Sequence, residues 1–238
     1  MRAEPGFKAD RTPSVVADNM LFIEADLAPR AVETLTAETV TGETRGGEAP
    51  ASDAPIVSAK FHPKTCSAAA VQIPNRGVRV VTAAHCSGDG LSLFDGRHWL
   101  EPRSTWRASD GSDLALLDFA VPAWSGLPTR SSTSVAIGER LCAWRVTRHD
   151  DRLHRESICA RLVDRKSRPD GQPLLVTSHP YPCGTSGSPL VDVEGRAVGV
   201  VVASNGLVGF AEPIEAVLAI AENAGPVATG AGESFVRR

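Results

Sequence analysis

Short apolar runs separated by turn residues dominate the chain from position 55 onward. Gly, Pro, Asn, Asp and Ser stand between the runs, and many of the apolar residues are Val, Ile or Leu. Runs of this length at this spacing are typical of an all-β barrel or sandwich. In the first half the pattern predicts strands over 56–61, 68–73, 78–82, 91–94, 98–106 and 114–119.

A second series of runs follows a loop at 121–134 that is rich in Pro, Ser and Gly. Apolar residues then recur at helical spacing from Ile214 to Ile220, directly after Pro213, which favours a helix starting at that proline. The pattern therefore predicts two six-stranded units followed by a C-terminal helix. The second set of strands is predicted over 140–147, 157–163, 173–177, 189–193, 197–203 and 207–211.

The first 53 residues differ in composition from the rest. The segment 34–54 is rich in Thr, Glu, Gly, Ala and Pro with few aromatic residues, which is typical of a linker or disordered arm. An apolar patch at 20–23 is expected to pack on the folded body. We predict an N-terminal extension, propeptide or linker over 1–53, a first β unit over 54–125, a second β unit with the helix over 126–223 and a flexible tail over 224–238.

Charge and hydropathy exclude several classes of protein. The formal net charge of −3 gives no electrostatic footprint for a nucleic acid. No apolar run approaches the roughly 18 residues of a membrane-crossing helix. Positions 1–6 lack the apolar stretch of a secretory signal. We therefore expect neither a nucleic-acid partner nor a membrane span.

The five cysteines are widely spaced and contain no Cys-x-x-Cys pair. Zinc sites usually draw on close pairs, so a metal site is not predicted. Two disulfides with one free thiol fit the count, and disulfides imply an oxidising compartment. If the cysteines pair, an exported location, periplasmic or extracellular, is favoured.

The sequence CGTSGSPL, starting at Cys183, places Ser186 between small residues at the entrance to a predicted strand. A serine hydroxyl becomes a good nucleophile when a neighbouring base removes its proton. Gly184 and Gly187 permit a tight backbone whose N–H groups can face a developing oxyanion. Taken alone, the same residues are also typical of an ordinary turn.

Two further segments supply the partners that such a serine needs. His85 ends the apolar run VVTAAH, and histidine is the usual general base near neutral pH. Asp113 directly precedes the run LALL, where a half-buried carboxylate can accept a proton from imidazole Nδ1. Asp110 lies in the turn and Asp118 follows the buried run, so Asp113 is preferred. The three segments together favour a Ser-His-Asp hydrolase.

The segments TAAHC, SDLALL and GTSGSPL resemble the three signature blocks of the chymotrypsin-like (trypsin-fold) serine proteases, over roughly residues 55 to 222. The third block is similar in form to bacterial glutamyl-endopeptidase-like and compact viral branches. The resemblance implies two packed six-stranded antiparallel β-barrels with the site in the cleft between them. It also implies a protein or peptide as substrate, and no metal or cofactor.

The same resemblance assigns a role to each residue of the three segments. Ser186 would attack the scissile carbonyl, with His85 as general base and Asp113 as the partner that orients His85. The backbone N–H groups of Gly184 and Ser186 would form the oxyanion hole. Cys66 and Cys86 would form the bridge beside the catalytic histidine.

The remaining cysteines allow more than one pairing. A disulfide between Cys142 and Cys159 would join neighbouring strands and leave Cys183 as the odd thiol. A pairing of Cys159 with Cys183 stays open, since spacing alone does not fix connectivity.

Two departures from the family pattern bear on activation and specificity. Thr185 stands where the trypsin branch has the aspartate that pairs with a freed N-terminus, so we expect activity without that ion pair. Pro180 replaces the acid that selects Lys or Arg, and the strand over 199–204 lacks the histidine of glutamyl-specific relatives. We predict a modest, largely apolar pocket for the residue before the scissile bond, lined by Tyr181, Val202, Ala203 and Ser204.

Basic residues gather between positions 145 and 168 and could attract acidic partners. Interleaved acids, among them Glu156, instead favour a solvated hairpin. The leading hypothesis is a monomeric serine endopeptidase. Two alternatives are a catalytically silent trypsin-fold binding protein and the protease domain of a viral polyprotein.

Overall fold

The computed structural model describes residues 20–25, 64–88, 90–119, 124–149 and 152–224. The first seven strands form one sheet, in the order β5-β4-β1-β2-β3-β7-β6, and all of its neighbours are antiparallel. We call it the N-terminal sheet. Its strands are β1 (Met20–Ala25), β2 (Lys64–Ile73), β3 (Gly77–Ala83), β4 (Ser92–Phe94), β5 (Trp99–Leu100), β6 (Ser104–Arg107) and β7 (Leu114–Asp118).

The next six strands form a closed antiparallel barrel, in the order β10-β13-β12-β11-β8-β9. We call it the C-terminal barrel. A helix, α1 (Ile214–Ala224), follows the last strand and packs against β12 and back onto β7 of the N-terminal sheet. The strands of the barrel are β8 (Arg140–His149), β9 (Arg152–Ser167), β10 (Pro173–Thr177), β11 (Pro189–Val191), β12 (Ala197–Ser204) and β13 (Gly209–Pro213).

The predicted all-β architecture of two barrel-like units with a C-terminal helix is confirmed. One predicted strand, 98–106, is divided into β5 and β6, with Pro102 between them. Proline has no N–H for the ladder, so it interrupts pairing at that point. The predicted strand at 56–61 lies outside the described residues.

The N-terminal sheet has seven described strands where six were predicted, because 98–106 is divided, 56–61 lies outside the described residues and one strand was not predicted. That strand, β1, comes from the N-terminal segment. It lies between two partners, pairing Met20 with Ala69 of β2 and Ile23 with Leu93 of β4. Its side chains from Met20 to Ile23 are buried. A strand covered on both faces is apolar throughout rather than alternating, which makes it hard to recognise as a strand.

Ser67 of β2 joins the N-terminal sheet to the C-terminal barrel. Its hydroxyl donates to the carbonyl oxygen of Gly184 at 2.8 Å and accepts from the N–H of Val146 at 3.0 Å. Its own carbonyl oxygen accepts from the Thr82 hydroxyl at 3.0 Å. Since Ser67 is fully buried, these bonds satisfy groups that water cannot reach.

Two disulfides reinforce this arrangement. Cys66–Cys86 joins β2 to the short turn after β3, and Cys142–Cys159 joins β8 to β9. Both pairings match the prediction, and Cys183 is an exposed free thiol. In the described part of the chain, no helix has the length and apolar character needed to cross a membrane.

Candidate active site

His85 lies in a short 3₁₀ turn directly after β3, where it meets Asp113 at the start of β7. The His85 backbone N–H donates to Asp113 Oδ1 at 2.9 Å, and His85 Nδ1 lies 2.5 Å from Asp113 Oδ2. The Ala84 N–H also donates to the Asp113 carbonyl oxygen at 3.0 Å. A carboxylate on Nδ1 fixes the tautomer in which Nε2 can accept a proton.

The two rival acids lie elsewhere. Asp118 Oδ1 lies 3.3 Å from Nε of the fully buried Arg79. Burial raises the pKa of the Asp118 carboxyl group. Asp110 accepts a hydrogen bond from the Ser112 N–H at 2.9 Å, and that bond lowers its pKa. Of the three candidate acids, only Asp113 contacts His85 in the described structure.

Ser186 lies at the tip of a tight turn that β2 and β12 hold from two sides. The Ser186 carbonyl oxygen accepts from the Ser67 N–H at 2.9 Å, and the Gly187 N–H donates to the Val201 carbonyl at 2.8 Å. Within the turn, the Ser188 N–H donates to the Thr185 carbonyl at 3.0 Å. The Ser186 side chain is half-buried. The N-terminal sheet and the barrel therefore both contribute to its placement.

The backbone N–H groups of Gly184 and Ser186 donate to no other group within the described residues. Gly184 has φ of +90°, in the left-handed region that glycine reaches at little cost. Two free N–H groups on one tight turn can bind an anionic oxygen.

Gly187 brings this turn against the strand that leads to His85. Its φ is +85°, and a Cβ atom there would lie 2.1 Å from the Ser67 carbonyl oxygen and 2.2 Å from Thr82 Oγ1. The same atom would lie 3.1 Å from the Ala83 nitrogen, two residues before His85. The absence of a side chain at Gly187 thus sets how closely the serine and histidine segments approach.

The predicted pocket residues divide into a buried pair and an exposed pair. Tyr181 and Val202 are buried, whereas Ala203 and Ser204 are exposed. The Tyr181 N–H donates to Ser204 Oγ at 3.2 Å, so the two segments meet. The Tyr181 ring packs directly on Gly209, where a Cβ atom would lie 2.2 Å from its Cε2. Burial raises the pKa of Tyr181 to about 12, so its phenol stays neutral.

Sequence reasoning missed an ion pair behind Asp113, formed by the buried Glu212 and the partly exposed Arg168. Glu212 Oε1 accepts from the Asp113 N–H at 3.2 Å and lies 2.8 Å from Arg168 Nη1. The one signal in the sequence is an acid inside the apolar end of β13, where a buried carboxylate requires a partner.

The sulfur atoms of Cys66 and Cys86 lie within 4.8 Å of a ring nitrogen of His85. Since the two sulfurs form a disulfide, neither is a thiolate that could bind a metal ion.

Replacing Gly187 with alanine should disrupt the site far more than the same change at Gly206. Both glycines have φ of +85°, but nothing lies within 4 Å of a Cβ at Gly206. Gly206→Ala should therefore cost only the backbone penalty, about 1–2 kcal/mol. Gly187→Ala must in addition push β2 away from the turn. Urea unfolding and the rate of Ser186 labelling by a fluorophosphonate would measure both effects, and equal losses in the two variants would contradict the argument.

Comparisons with known proteins agree with this geometry. The model of the trypsin-like peptidase domain matches residues 68–200, which include His85, Asp113 and Ser186. The active form of the Rv3671c protease from M. tuberculosis has a TM-score of 0.61 at 19% identity, covering 97% of this chain and 99% of that chain. The inactive form of the same protease has a TM-score of 0.56 at 18% identity, covering 89% and 93%.

A more distant likeness connects the chain to an HtrA-type protease, AlgW with a bound tripeptide. Its TM-score is 0.52 at 18% identity, covering 68% of this chain and 56% of that chain. Curated proteins give no significant match. The structural likenesses concern the fold, while the domain model spans more than half of the sequence. The chain belongs to the family of trypsin-like peptidases.

Proposed function

We propose that the chain is a serine endopeptidase that cleaves peptide bonds through an acyl-enzyme. The observation that carries the proposal is the pairing of His85 with Asp113 beside a turn that presents Ser186 and two free N–H groups. A base, a group that orients it and a pair of oxyanion donors are the parts that acyl transfer requires.

In the proposed first step, His85 Nε2 takes the proton of the Ser186 hydroxyl while Ser186 Oγ attacks the scissile carbonyl carbon. The resulting oxyanion accepts hydrogen bonds from the N–H groups of Gly184 and Ser186. Each such donor is worth roughly 3–4 kcal/mol in a transition state. Collapse of the tetrahedral intermediate breaks the C–N bond, and His85 protonates the leaving amine. Water then attacks the acyl-enzyme by the same route.

Asp113 acts on His85 rather than on the substrate. It holds the ring through Nδ1 and the backbone through the N–H, and it stabilises the imidazolium formed during attack. Thr185, the residue before the nucleophile, is buried and uncharged. The mechanism therefore needs no ion pair with a freed N-terminus at that position.

The P1 residue, which precedes the scissile bond, would enter between the segment around Tyr181 and the strand over 202–204. The Tyr181 ring fills the space over Gly209, so it forms the floor of the pocket. The lining residues carry no formal charge that could pair with Lys, Arg or Glu. We therefore propose small and medium apolar side chains at P1.

The cysteines indicate the compartment in which the protein works. Two disulfides link β2 to the histidine turn and β8 to β9. Such bonds persist in oxidising compartments, so we propose that the protein works outside the cytoplasm.

Ser186→Ala should abolish labelling by a fluorophosphonate and lower kcat by about 10⁶, because no other nucleophile replaces the hydroxyl. A coupled assay on casein-derived peptides with mass-spectrometric detection would measure the loss. Wild-type protein that neither labels nor cleaves any peptide would favour the silent binding protein instead.

Tyr181→Ala should deepen the pocket and shift the P1 preference toward Leu and Phe. One substrate methylene that binds in an apolar pocket changes selectivity by roughly 10- to 200-fold. We therefore expect the ratio of kcat/KM for a Leu or Phe substrate to kcat/KM for a smaller P1 residue to rise by at least about tenfold. Tyr181→Phe keeps the ring and should keep the wild-type profile. A peptide-library profile of the wild type dominated by Arg, Lys or Glu at P1 would contradict the proposed pocket.

A further inference from the structure

An ion pair of the C-terminal barrel, with a buried carboxylate and a partly exposed guanidinium, reaches across to the loop that carries Asp113. Glu212, on β13, has a fully buried side chain. Its Oε1 atom accepts hydrogen bonds from the Asp113 N–H at 3.2 Å and from Arg168 Nη1 at 2.8 Å. The contact with Asp113 spans 99 positions of the sequence and joins the two halves of the fold.

Arg168, just after β9, holds the same loop at a second point. Its Nη2 atom donates to the Gly111 carbonyl oxygen at 2.7 Å and lies 3.2 Å from Asp170 Oδ2. The guanidinium therefore binds Glu212 on one side and the backbone before Asp113 on the other. Gly111 has φ of +87°, so this loop makes a sharp turn between the two points of attachment.

The carboxylate of Asp113 has few other anchors. Within the described residues, the groups that donate to it are the N–H and Nδ1 of His85 itself. If Asp113 orients His85, then His85 cannot be the group that holds Asp113 in place, and another group must do so. The loop position must come from its backbone, which the Ala84 N–H holds from the N-terminal sheet and Glu212 and Arg168 hold from the barrel.

We propose that Glu212 and Arg168 are positioning residues that set the place of Asp113 relative to His85. The inference rests on the proposed function of this site. Burial raises the pKa of the Glu212 carboxyl, and the hydrogen bond from the Asp113 N–H and the charge of Arg168 act against that rise. The two groups that hold the Asp113 loop therefore also interact with each other.

The test compares Glu212→Ala and Glu212→Gln with Asp192→Ala. Asp192 is a matched control, because its fully buried carboxylate pairs with Arg130 and Arg196 in the same barrel but does not contact Asp113. We expect both alanine variants to lower the melting temperature. Glu212→Ala alone should lower kcat, by about 10- to 100-fold for a misplacement near 1 Å, with little change in KM.

The pH profile separates a positioning role from a merely structural one. A displaced Asp113 stabilises the imidazolium less, so the acid limb of kcat/KM should move to lower pH in Glu212→Ala. Glu212→Gln keeps an oxygen that can accept from the Asp113 N–H but loses the ion pair with Arg168, so it should retain more activity than Glu212→Ala and less than the wild type. If Glu212→Ala does not fold, the Nδ1 proton resonance of His85 in Glu212→Gln serves as the readout, and it should shift.

Two results would overturn this proposal. One is a kcat and an acid limb in Glu212→Ala equal to those of Asp192→Ala; the other is an unshifted Nδ1 resonance in Glu212→Gln. Fluorophosphonate labelling of the wild type is measured first. If the wild type is labelled and Glu212→Ala behaves like Asp192→Ala, only this inference is wrong. If the wild type is not labelled, the proposed function itself is wrong.

A different observation concerns the opposite side of the candidate site. The side chain of Arg145, on β8, runs alongside Gly184, with its Nε 3.8 Å from the point where a Cβ of Gly184 would lie. The Thr65 carbonyl oxygen lies 3.9 Å from the same point. Arg145 Nε is buried and has no hydrogen-bond partner in the described part of the chain.

The ion pair between Arg145 and Glu156 is loose. Its Nη1 atom lies 3.8 Å from Glu156 Oε2, and the Glu156 side chain is 66% exposed. Exposed pairs of this kind contribute roughly 0–1 kcal/mol, so the guanidinium can exchange Glu156 for another carboxylate. In the proposed mechanism the Gly184 N–H binds the scissile carbonyl oxygen, so Thr65 and Arg145 would lie beside the scissile bond, on the path we propose for the leaving peptide.

We infer that Arg145 favours an acidic residue just after the scissile bond. Quenched peptides that differ only by Glu or Lys at P1′ and P2′ test this, with Arg145→Glu compared with Arg152→Glu. Arg152 is an exposed residue of the same hairpin, so it gives the same change in net charge. The wild type should prefer Glu by about five- to tenfold and Arg145→Glu should prefer Lys.

Arg152→Glu should leave the Glu-to-Lys ratio of kcat/KM within about twofold of the wild type, since a charge at the surface is screened by salt. A ratio that does not change in Arg145→Glu, or that changes as much in Arg152→Glu, would overturn the inference. Neither outcome depends on Glu212, so the two proposals stand or fall separately.

Discussion

The contact between β2 and the serine turn is the constraint on which the rest of the site depends. The Ser67 N–H binds the Ser186 carbonyl, and the missing side chain of Gly187 lets β2 and Thr82 come within touching distance. Because Thr82 belongs to the strand that leads to His85, this one approach sets how closely the turn of Ser186 lies to the turn of His85. Close packing at a backbone allows no adjustment of a fraction of an ångström without moving a strand.

Electrostatics is organised around the same junction. Each half of the fold contributes polar or charged groups to this junction: Asp113 and His85, both partly exposed, come from the N-terminal sheet, and the buried Glu212 with Arg168 from the barrel. Charges removed from water are stable only when they are paired and hydrogen-bonded. The buried Glu212 carboxylate therefore needs Arg168, and the same Oε1 atom also accepts from the backbone N–H of the sheet's aspartate.

Local chemistry explains which parts of the site the sequence could predict. Ser186, His85 and Asp113 stand in short segments whose small residues and flanking strands are typical of the roles proposed for them, so the sequence could single them out. The structure brings His85 and Asp113 together. Strand β1 was not predicted as a strand, since its pairing of Met20 with Ala69 joins positions far apart in sequence. The ion pair of Arg168 and Glu212 was not predicted for the same reason, because only folding brings these two residues together. Arg145 reads as part of a solvated hairpin until its contact with Gly184 is visible.

The position of β1 limits how the N-terminal region can be matured. The strand is hydrogen-bonded on both edges and its apolar side chains fill the sheet. Trimming that stops before Met20 would leave the sheet whole, whereas excision of residues 1–53 as one piece would open a gap between β2 and β4. The exposed edges would then be free to pair with other chains. A maturing protease of this design would have to keep its first strand, even if the peptide bond connecting that strand to the body were cut.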